Sequence, residues 1–254
     1  MTRQAVAGAY GHWVLQYRKT WRGSAIGSFV MPLLQLAVFG FGLGAFIHDA
    51  PDGVDYARFA APGLLAAAAV QTAAAVATHP VSSALRWNKI YQSMIAAPLG
   101  PTEILTGHLV FMAMRIAFTA TAFTVWLAVF GCLTTPWALL APLAAVLCGL
   151  ACAAPIAAYS CRLRHQLGIP LLMRFVITPM FLFAGVVYPI SYLPAALRPL
   201  IRLTPLWNGV ELCRGLVLHT LTAGSAAVHI AALSAWLVGG FLLARAVYHR
   251  RLMS

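Results

Sequence analysis

Few side chains in this sequence could carry chemistry, and acidic residues are the scarcest. Of 254 residues only five are acidic, and three of them, Asp49, Asp52 and Asp55, stand together in HDAPDGVDYAR. Carboxylates at such close spacing could bind calcium. A short solvated loop explains the same residues without any ligand, and we prefer that interpretation.

Two further charged positions stand out. Glu211 and Arg214 are three residues apart, so a helix would hold them on one face as an ion pair. Such a pair in an apolar segment is a candidate functional site, with a purely structural ion pair as the alternative. Arg115 lies within a long apolar run and could extend to the end of that run or reach Glu103. A role for Arg115 in translocation is the less favoured interpretation.

Motifs of catalysis and nucleotide binding are absent from the sequence. It contains no GxxxxGK[ST], and neither of its lysines, Lys19 and Lys89, follows a glycine, so it cannot hold ATP in a P-loop. HExxH and GxSxG are also missing. Cys148 and Cys152 share a helix face without further ligands nearby, which favours apolar packing over a metal site or a disulfide. We therefore predict no catalytic residue, no metal and no cofactor on this chain.

The composition predicts that membrane-spanning helices position these residues. The chain is 61% hydrophobic and 9% charged, whereas soluble domains carry about 25% charged residues. A helix needs about 20 apolar residues to cross a bilayer, and the uncharged run 116–161 divides at the turn residues of GCLTTPW. We expect an all-α polytopic membrane protein, one domain over residues 1–254, with spans at 26–47, 60–82, 110–130, 137–160, 171–188 and 224–245.

Basic residues predict the orientation of these spans. With the N-terminus inside, twelve Arg and Lys residues fall on the inner side and four on the outer side. Both termini are then cytoplasmic. The net charge of +12 favours anionic headgroups or a cytoplasmic partner. Nucleic acid is not an expected partner, because the basic residues are divided among separate loops.

Residues 1–22 predict an amphipathic helix on the inner membrane surface. Aromatic and apolar residues recur there at helical spacing, with basic and amide residues between them, and aromatic rings suit headgroup depth. An amphipathic soluble tail is the alternative. The repeating positions are Val6, Tyr10, Trp13, Tyr17 and Trp21.

A second amphipathic segment, RWNKIYQSMIAAPLGPTE, interrupts the apolar chain after the second span. Its helix ends before Pro98, because a proline disfavours helical backbone in the residue before it. One face carries Trp87, Ile90, Tyr91, Met94 and Ile95, and the other carries Arg86, Asn88, Lys89, Gln92 and Ser93. From the residues alone, attachment to the lipid surface and docking into a groove of a cytoplasmic protein are equally favoured.

The third unusual segment, 181–216, is half apolar and contains Pro189, Pro194, Pro199 and Pro205. Its aromatic residues Tyr188, Tyr192 and Trp207 suit a membrane interface. This pattern predicts short helices that enter the outer leaflet and turn back. Irregular backbone at that depth is tolerated only where protein or a water-filled cavity satisfies it.

Three stretches together resemble the membrane subunits of type-2 ABC exporters, particularly the nodulation-protein-J and daunorubicin-resistance permease branch. They are YRKTWRGSAIGSFVMPLLQLAVFGFGLG, RWNKIYQSMIAAPLGPTEILTGHL and FLFAGVVYPISYLPAALRPLIRLTPLWNGVELCRGL. The third is the most specific, and the likeness covers essentially the whole chain. None of the three is a catalytic signature.

The resemblance implies a six-span permease of the bacterial cytoplasmic membrane that dimerises with a second copy or a paralogue. It also implies a separate cytoplasmic ABC ATPase that holds the ATP and magnesium. Segment 86–96 would be its coupling helix, with contacts through Arg86, Trp87, Lys89, Ile90, Tyr91 and Met94. Segment 189–216 would be the extracellular re-entrant gate, with Tyr188, Pro189, Tyr192, Trp207, Glu211 and Arg214 as its candidate residues.

The cargo implied is amphipathic: a drug, polyketide, lipid or lipo-oligosaccharide, moved from the cytoplasm or inner leaflet. A stand-alone secondary carrier, or a membrane-embedded enzyme of lipid or glycan metabolism, is the alternative function. Either would need a buried carboxylate, a histidine cluster or a metal set, and the sequence of the predicted spans has no Asp or Glu at mid-span. A scaffold without transport activity would leave segment 181–216 without a purpose.

Overall fold

The computed structural model describes residues 3–42, 44, 55–86, 90–91, 94, 100–163 and 167–253, without the side chains of residues 3, 40, 41 and 86. Regular structure in these ranges is helical, with no strand among them. The predicted all-α class is therefore confirmed. We number the helices α1 Arg3–Gln35, α2 Tyr56–Ala77, α3 His79–Arg86, α4 Pro101–Val129, α5 Ala141–Arg162, α6 Gly168–Phe183, α7 Arg198–Arg202, α8 Pro205–Leu218 and α9 Ala223–Leu252.

Five helical stretches are long and apolar enough to cross a membrane: α1, α2 with α3, α4, α5 and α9. They correspond to the first four predicted spans and the last. The predicted fifth span is the shorter α6, which at about 1.5 Å per residue is roughly 24 Å long, less than the ~30 Å hydrocarbon core. The multi-pass architecture is thus confirmed, and the count of six spans stays a prediction.

Helix α1 differs from the predicted layout. Segments 1–22 and 26–47 were expected to be separate elements, but one unbroken α-helix runs from Arg3 to Gln35 and continues as π-helix Leu36–Gly42. The chain between them offers only Gly23 and Ser24, which a helix tolerates, and the first proline comes at Pro32. The position of residues 1–22 at the membrane surface stays a prediction.

Helix α2 is the centre of the bundle. It contacts α1, α4, α5 and α8, and nearly all of its side chains are buried. Alanine dominates its sequence, YARFAAPGLLAAAAVQTAAAVA, and such small side chains let neighbouring helix backbones approach closely. In contrast, α1 and α9 leave most of their apolar stretches exposed, which suits lipid contact.

Two glycines show how closely these helices approach. A Cβ at Gly149 of α5 would lie 2.8 Å from Ile116 Cγ2 of α4 and 3.2 Å from the Ala69 carbonyl oxygen of α2. A Cβ at Gly240 of α9 would lie 2.8 Å from the backbone nitrogen of Pro155 in α5. Side chains at these positions would push the helices apart.

Adjacent glycines of α9 provide a matched test of this packing. Gly240→Ala should lower the thermal unfolding midpoint in detergent, because overpacking against backbone costs about 1–3 kcal/mol. Gly239→Ala is the control, since a Cβ there meets nothing within 4 Å, and a helical Gly→Ala change gains about 0.5–1 kcal/mol. Equal midpoints for the two variants would show that α5 and α9 are not packed this closely.

Candidate functional site

The predicted coupling segment is only partly described. Ile90, Tyr91 and Met94 have helical backbone; Ile90 is half-buried and the other two are buried. Of the remaining predicted contacts, Arg86 is described by backbone alone, at the end of α3, whereas Trp87 and Lys89 lie outside the described residues.

Tyr91 belongs to a buried aromatic cluster that joins the segment to three helices. Its hydroxyl lies 3.0 Å from His108 Nδ1 of α4 and 3.2 Å from the Tyr248 hydroxyl of α9. The indole of Trp13, from α1, stacks on the His108 ring at a centroid distance of 3.9 Å and an interplanar angle of 6°. We call Trp13, Tyr91, His108 and Tyr248 the anchor cluster.

Hydrogen bonding in the anchor cluster is centred on Tyr91, whereas Trp13 Nε1 and His108 Nε2 have no hydrogen-bond partner among the described residues. Burial raises the pKa of the Tyr91 hydroxyl well above its usual value, so the hydroxyl stays protonated at neutral pH. Tyr91 can then donate to His108 Nδ1 while accepting from the Tyr248 hydroxyl, which uses one donor and one acceptor of a phenol. Thr102 and His249 add a second link between α4 and α9, with 3.2 Å between Oγ1 and Nε2.

Burial of Tyr91 and Met94 defines what these two residues can do. Both side chains are covered by this chain's own helices, so they attach the segment to the bundle instead of facing a partner. The sequence pattern puts Asn88, Lys89, Gln92 and Ser93 on the opposite face, which is the face that we predict for a partner. The coupling role of the segment as a whole stays a prediction.

The contacts within the anchor cluster were not predicted from the sequence. Tyr91 and Tyr248 are 157 residues apart, and Trp13 was expected at the lipid surface. One signal was available: His108 is a lone titratable residue within an apolar stretch, and such a residue needs a buried hydrogen-bond partner.

The predicted re-entrant segment contains a short 3₁₀ turn at Ile190–Tyr192, then α7 and α8. Helix α8 packs against α2, α5 and α9. Thr204 caps its N-terminus by accepting from the Trp207 backbone N–H at 3.3 Å. At its C-terminus, Thr134 and Thr135 from the α4–α5 connection donate to the carbonyl oxygens of Val217 and Leu216. Backbone groups at both ends of α8 therefore have hydrogen-bond partners within the protein, which the predicted re-entrant position would require.

Arg214 fixes α8 to the rest of the structure. Its Nη1 donates to Glu211 Oε1 at 2.9 Å, its Nη2 to the Gly185 carbonyl at 2.6 Å and its Nε to the Phe59 carbonyl at 3.3 Å. The guanidinium also lies 4.0 Å from the centroid of the Phe59 ring. One buried side chain thus joins α8, the first turn of α2 and the turn after α6.

The structure brings some of the predicted gate residues together and separates others. Glu211 and Arg214 form the expected ion pair. Trp207 is half-buried and meets the His229 ring edge-to-face at 5.3 Å. Tyr188 and Pro189 are half-buried, whereas Tyr192 is 72% exposed and lies apart from the pair's contacts. A gating role for these residues stays a prediction.

Metal-ligating residues do not assemble in the described ranges. Within them, no group of three or more His, Cys, Asp or Glu side chains is placed to hold a metal. Asp49 and Asp52 lie outside the described residues, and Asp55 is exposed. All five cysteines are buried free thiols, and Cys148 packs so closely on Gly209 that no Cβ would fit there.

Comparisons with known proteins agree with this architecture. Residues 12–218 match the family described as ABC-2 type transporter. Nodulation protein J of Sinorhizobium fredii is 28% identical over 250 residues, covering 96% of this chain and 95% of the relative. The proteins of that name from Rhizobium leguminosarum bv. viciae and Rhizobium meliloti are each 27% identical, with 94% of this chain and 92% or 90% of the relative covered. The resemblance expected from the three stretches is confirmed.

The Arg214 contacts lead to a prediction about the predicted re-entrant segment, residues 189–216, which we call the outer segment after its predicted position. Arg214→Lys should destabilise it, because one ammonium cannot reach Glu211 and both carbonyls in the fork geometry of a guanidinium. The lysine keeps the charge beside the half-buried Glu211 but leaves at least one buried carbonyl without its donor, which costs about 1–3 kcal/mol. Limited proteolysis in liposomes should show faster cleavage between α6 and α8. Arg202→Lys is the control, since Arg202 is exposed, and equal cleavage of the two variants would contradict the prediction.

Proposed function

This chain belongs to the ABC-2 type transporter family, and on that premise we propose that it is the permease subunit of an exporter powered by ATP hydrolysis on a separate cytoplasmic subunit. The chain itself is a multi-pass membrane protein. The absence of a P-loop from the sequence assigns the energy source to a partner. In this proposal both termini face the cytoplasm of a bacterial inner membrane.

The observation that carries the proposal is the attachment of the coupling segment. A helix that receives force from a partner must be fixed to the elements that move, and Tyr91 connects it to α1, α4 and α9 at once. The apolar face of the segment packs against the helical bundle. The basic and amide face is therefore the one that we assign to the ATPase. ATP binding would bring two ATPase subunits together, and the segment would pass that displacement to the spans.

The outer segment is the element that we propose opens and closes the exit on the outer side. Helix α8 is fixed to the first turn of α2 through Arg214 and Phe59. Displacement of α2 would therefore reach the segment that we assign to closing the outer exit. An interface between two permease subunits, lined mainly by the first, second and fifth spans, would form the path.

We infer the chemical class of the cargo from the exposed side chains of the spans that line this path. The first and fifth of these spans expose apolar and aromatic side chains, including Phe29, Met31 and Phe175. Such surfaces favour a lipid-like or drug-like amphiphile over a bare ion. The second permease subunit, membrane lipid and an amphipathic cargo are the remaining partners in this proposal.

The test changes the basic and amide face of the coupling segment, which we assign to the ATPase. The permease is purified with the ATPase that accompanies it from native membranes and reconstituted in liposomes. Lys89→Glu combined with Gln92→Glu should remove most of the permease-dependent stimulation of ATP hydrolysis, because the two added negative charges reverse the charge of the face proposed to dock on the ATPase. Arg250→Glu is the control, as an exposed basic residue of α9 outside the segment.

Two results would count against the docking role. One is full stimulation by the Lys89 and Gln92 variant at normal folded yield. The other is the same loss in the Arg250 control, which would indicate a general effect of charge. Charged substitutions at Tyr91 or Met94 are unsuitable, since both side chains are buried and the protein would lose stability before docking is tested.

A further inference from the structure

A polar groove opens between α1, α2 and α4, and no residue of the anchor cluster or of the outer segment lines it. It encloses about 250 Å³. Its polar lining is unusual for helices this apolar: Ser24, Ser28, Gln35, Gln71, Thr72, Thr119 and Arg115. A smaller cavity of about 170 Å³ shares Ser24, Val76 and Arg115 with the groove.

Hydroxyl groups in the groove form a directed chain across the three helices. Thr72 Oγ1 donates to Thr119 Oγ1 at 3.3 Å, and Thr119 Oγ1 donates to Ser28 Oγ at 3.3 Å. Ser28 is buried at the end of this chain. Its own hydroxyl proton has no acceptor among the bonds of the described residues, so it can be donated to a ligand in the groove.

Arg115 supplies a positive charge to the same groove. The residue is 9% exposed, and its guanidinium lies 4.3 Å from the centroid of the Tyr17 ring. Among the described residues, Nη1 has no hydrogen-bond acceptor. A guanidinium stays protonated in proteins, so this charge cannot be removed by loss of a proton.

No carboxylate of the described chain is in reach of Arg115. Glu103 is twelve residues earlier on α4, about 18 Å away along the helix, which excludes the contact that the sequence suggested. Glu211 pairs with Arg214, and Asp55 precedes α2, on which the groove residues begin only at Ala68. A buried positive charge without a counter-charge is costly, and an anion from outside the chain would offset that cost.

We propose that this groove binds the single anionic headgroup, phosphate or carboxylate, of a membrane amphiphile, with Arg115 and Ser28 as its donors. The apolar residues beside the groove, including Met31 and Pro32 of α1, suit the adjoining acyl chain. The binding site goes beyond the proposed function. Only the identification of the amphiphile as cargo would depend on transport.

The test measures binding to the full-length chain in a neutral maltoside detergent, without ATP or any ATPase. Dodecyl phosphate is the probe, and dodecanol is its uncharged match. Native mass spectrometry counts bound molecules, and the thermal unfolding midpoint reports stabilisation. Wild-type protein should bind dodecyl phosphate saturably and dodecanol much more weakly. Since the assay lacks ATP, its failure would leave the exporter proposal untouched.

Variants assign the binding to the groove. Arg115→Gln should weaken dodecyl phosphate binding at least about tenfold, the loss expected for a charge-assisted hydrogen bond. Arg115→Lys should keep part of the affinity. Arg174→Gln is the control, because Arg174 is an exposed basic residue of α6. Gly27→Val narrows the groove while Arg115 is retained, and its Cβ meets nothing within 4 Å, so the fold should tolerate it.

The stability of the unliganded protein distinguishes a ligand-binding role of Arg115 from a role in stabilising the fold. If Arg115 holds the fold together, Arg115→Gln should lower the unfolding midpoint without probe. We expect the midpoint to stay unchanged or rise, because the substitution removes an uncompensated buried charge. Equal dodecyl phosphate binding by wild type and Arg115→Gln, or by wild type and Gly27→Val, would overturn the proposal, as would equal binding of dodecanol.

A second probe identifies the source of the headgroup. Phosphatidylglycerol carries one phosphate on two acyl chains. Arg115-dependent binding of both probes would assign the groove to a bilayer phospholipid, whereas binding of dodecyl phosphate alone would assign it to a single-chain amphiphile. Inorganic phosphate tests the headgroup without a chain and should bind far more weakly than dodecyl phosphate. If it binds equally well, the amphiphile assignment is wrong.

Discussion

A polar group inside a bilayer has no water to bond, so leaving it without a partner in the protein is costly. The contacts of α8 satisfy this constraint at both of its ends. Its first turn is capped by Thr204, its last carbonyls accept from Thr134 and Thr135, and Arg214 bonds the carbonyl of Gly185. The left-handed backbone of Gly185, at φ +76°, belongs to the turn that presents this carbonyl. The segment can be irregular because side chains of the segment and of the α4–α5 connection take the place of water.

The same constraint acts at the other end of the bundle. Tyr91 is fully buried, and its hydroxyl would be unsatisfied without His108 and Tyr248. Helix α2 connects the two ends: its first turn holds Phe59, which receives Arg214, and its last leads through a break at Thr78 into α3 and towards Tyr91. Because α2 is closely packed along its length, it should move as a rigid element. That is what transmission of force across the membrane needs.

The sequence predicted the helices and their order better than their contacts. Apolar runs of about 20 residues identify spans because the bilayer imposes a length, and the local spacing of Glu211 and Arg214 identified their pair. The spacing of one segment shows which face is apolar, but it does not show which neighbour covers that face. For this reason Trp13 was placed at the lipid surface, and Tyr91 on a face available to a partner. Continuity of α1 was missed because an amphipathic pattern changed to an apolar one without any break in the backbone.

Arg115 and Arg214 show how contacts in the structure distinguish residues that the sequence alone does not. In sequence both are single arginines in apolar surroundings, and each had an acid as a possible partner. In the structure Arg214 has two backbone carbonyls and a carboxylate within hydrogen-bond distance, whereas Arg115 has a tyrosine ring and an unfilled donor. An arginine whose three nitrogens each bond to its own chain serves to hold elements together. One that lines a polar groove and keeps a nitrogen without an acceptor has charge left for a ligand, so the number of acceptors in reach, more than burial, separates the two roles.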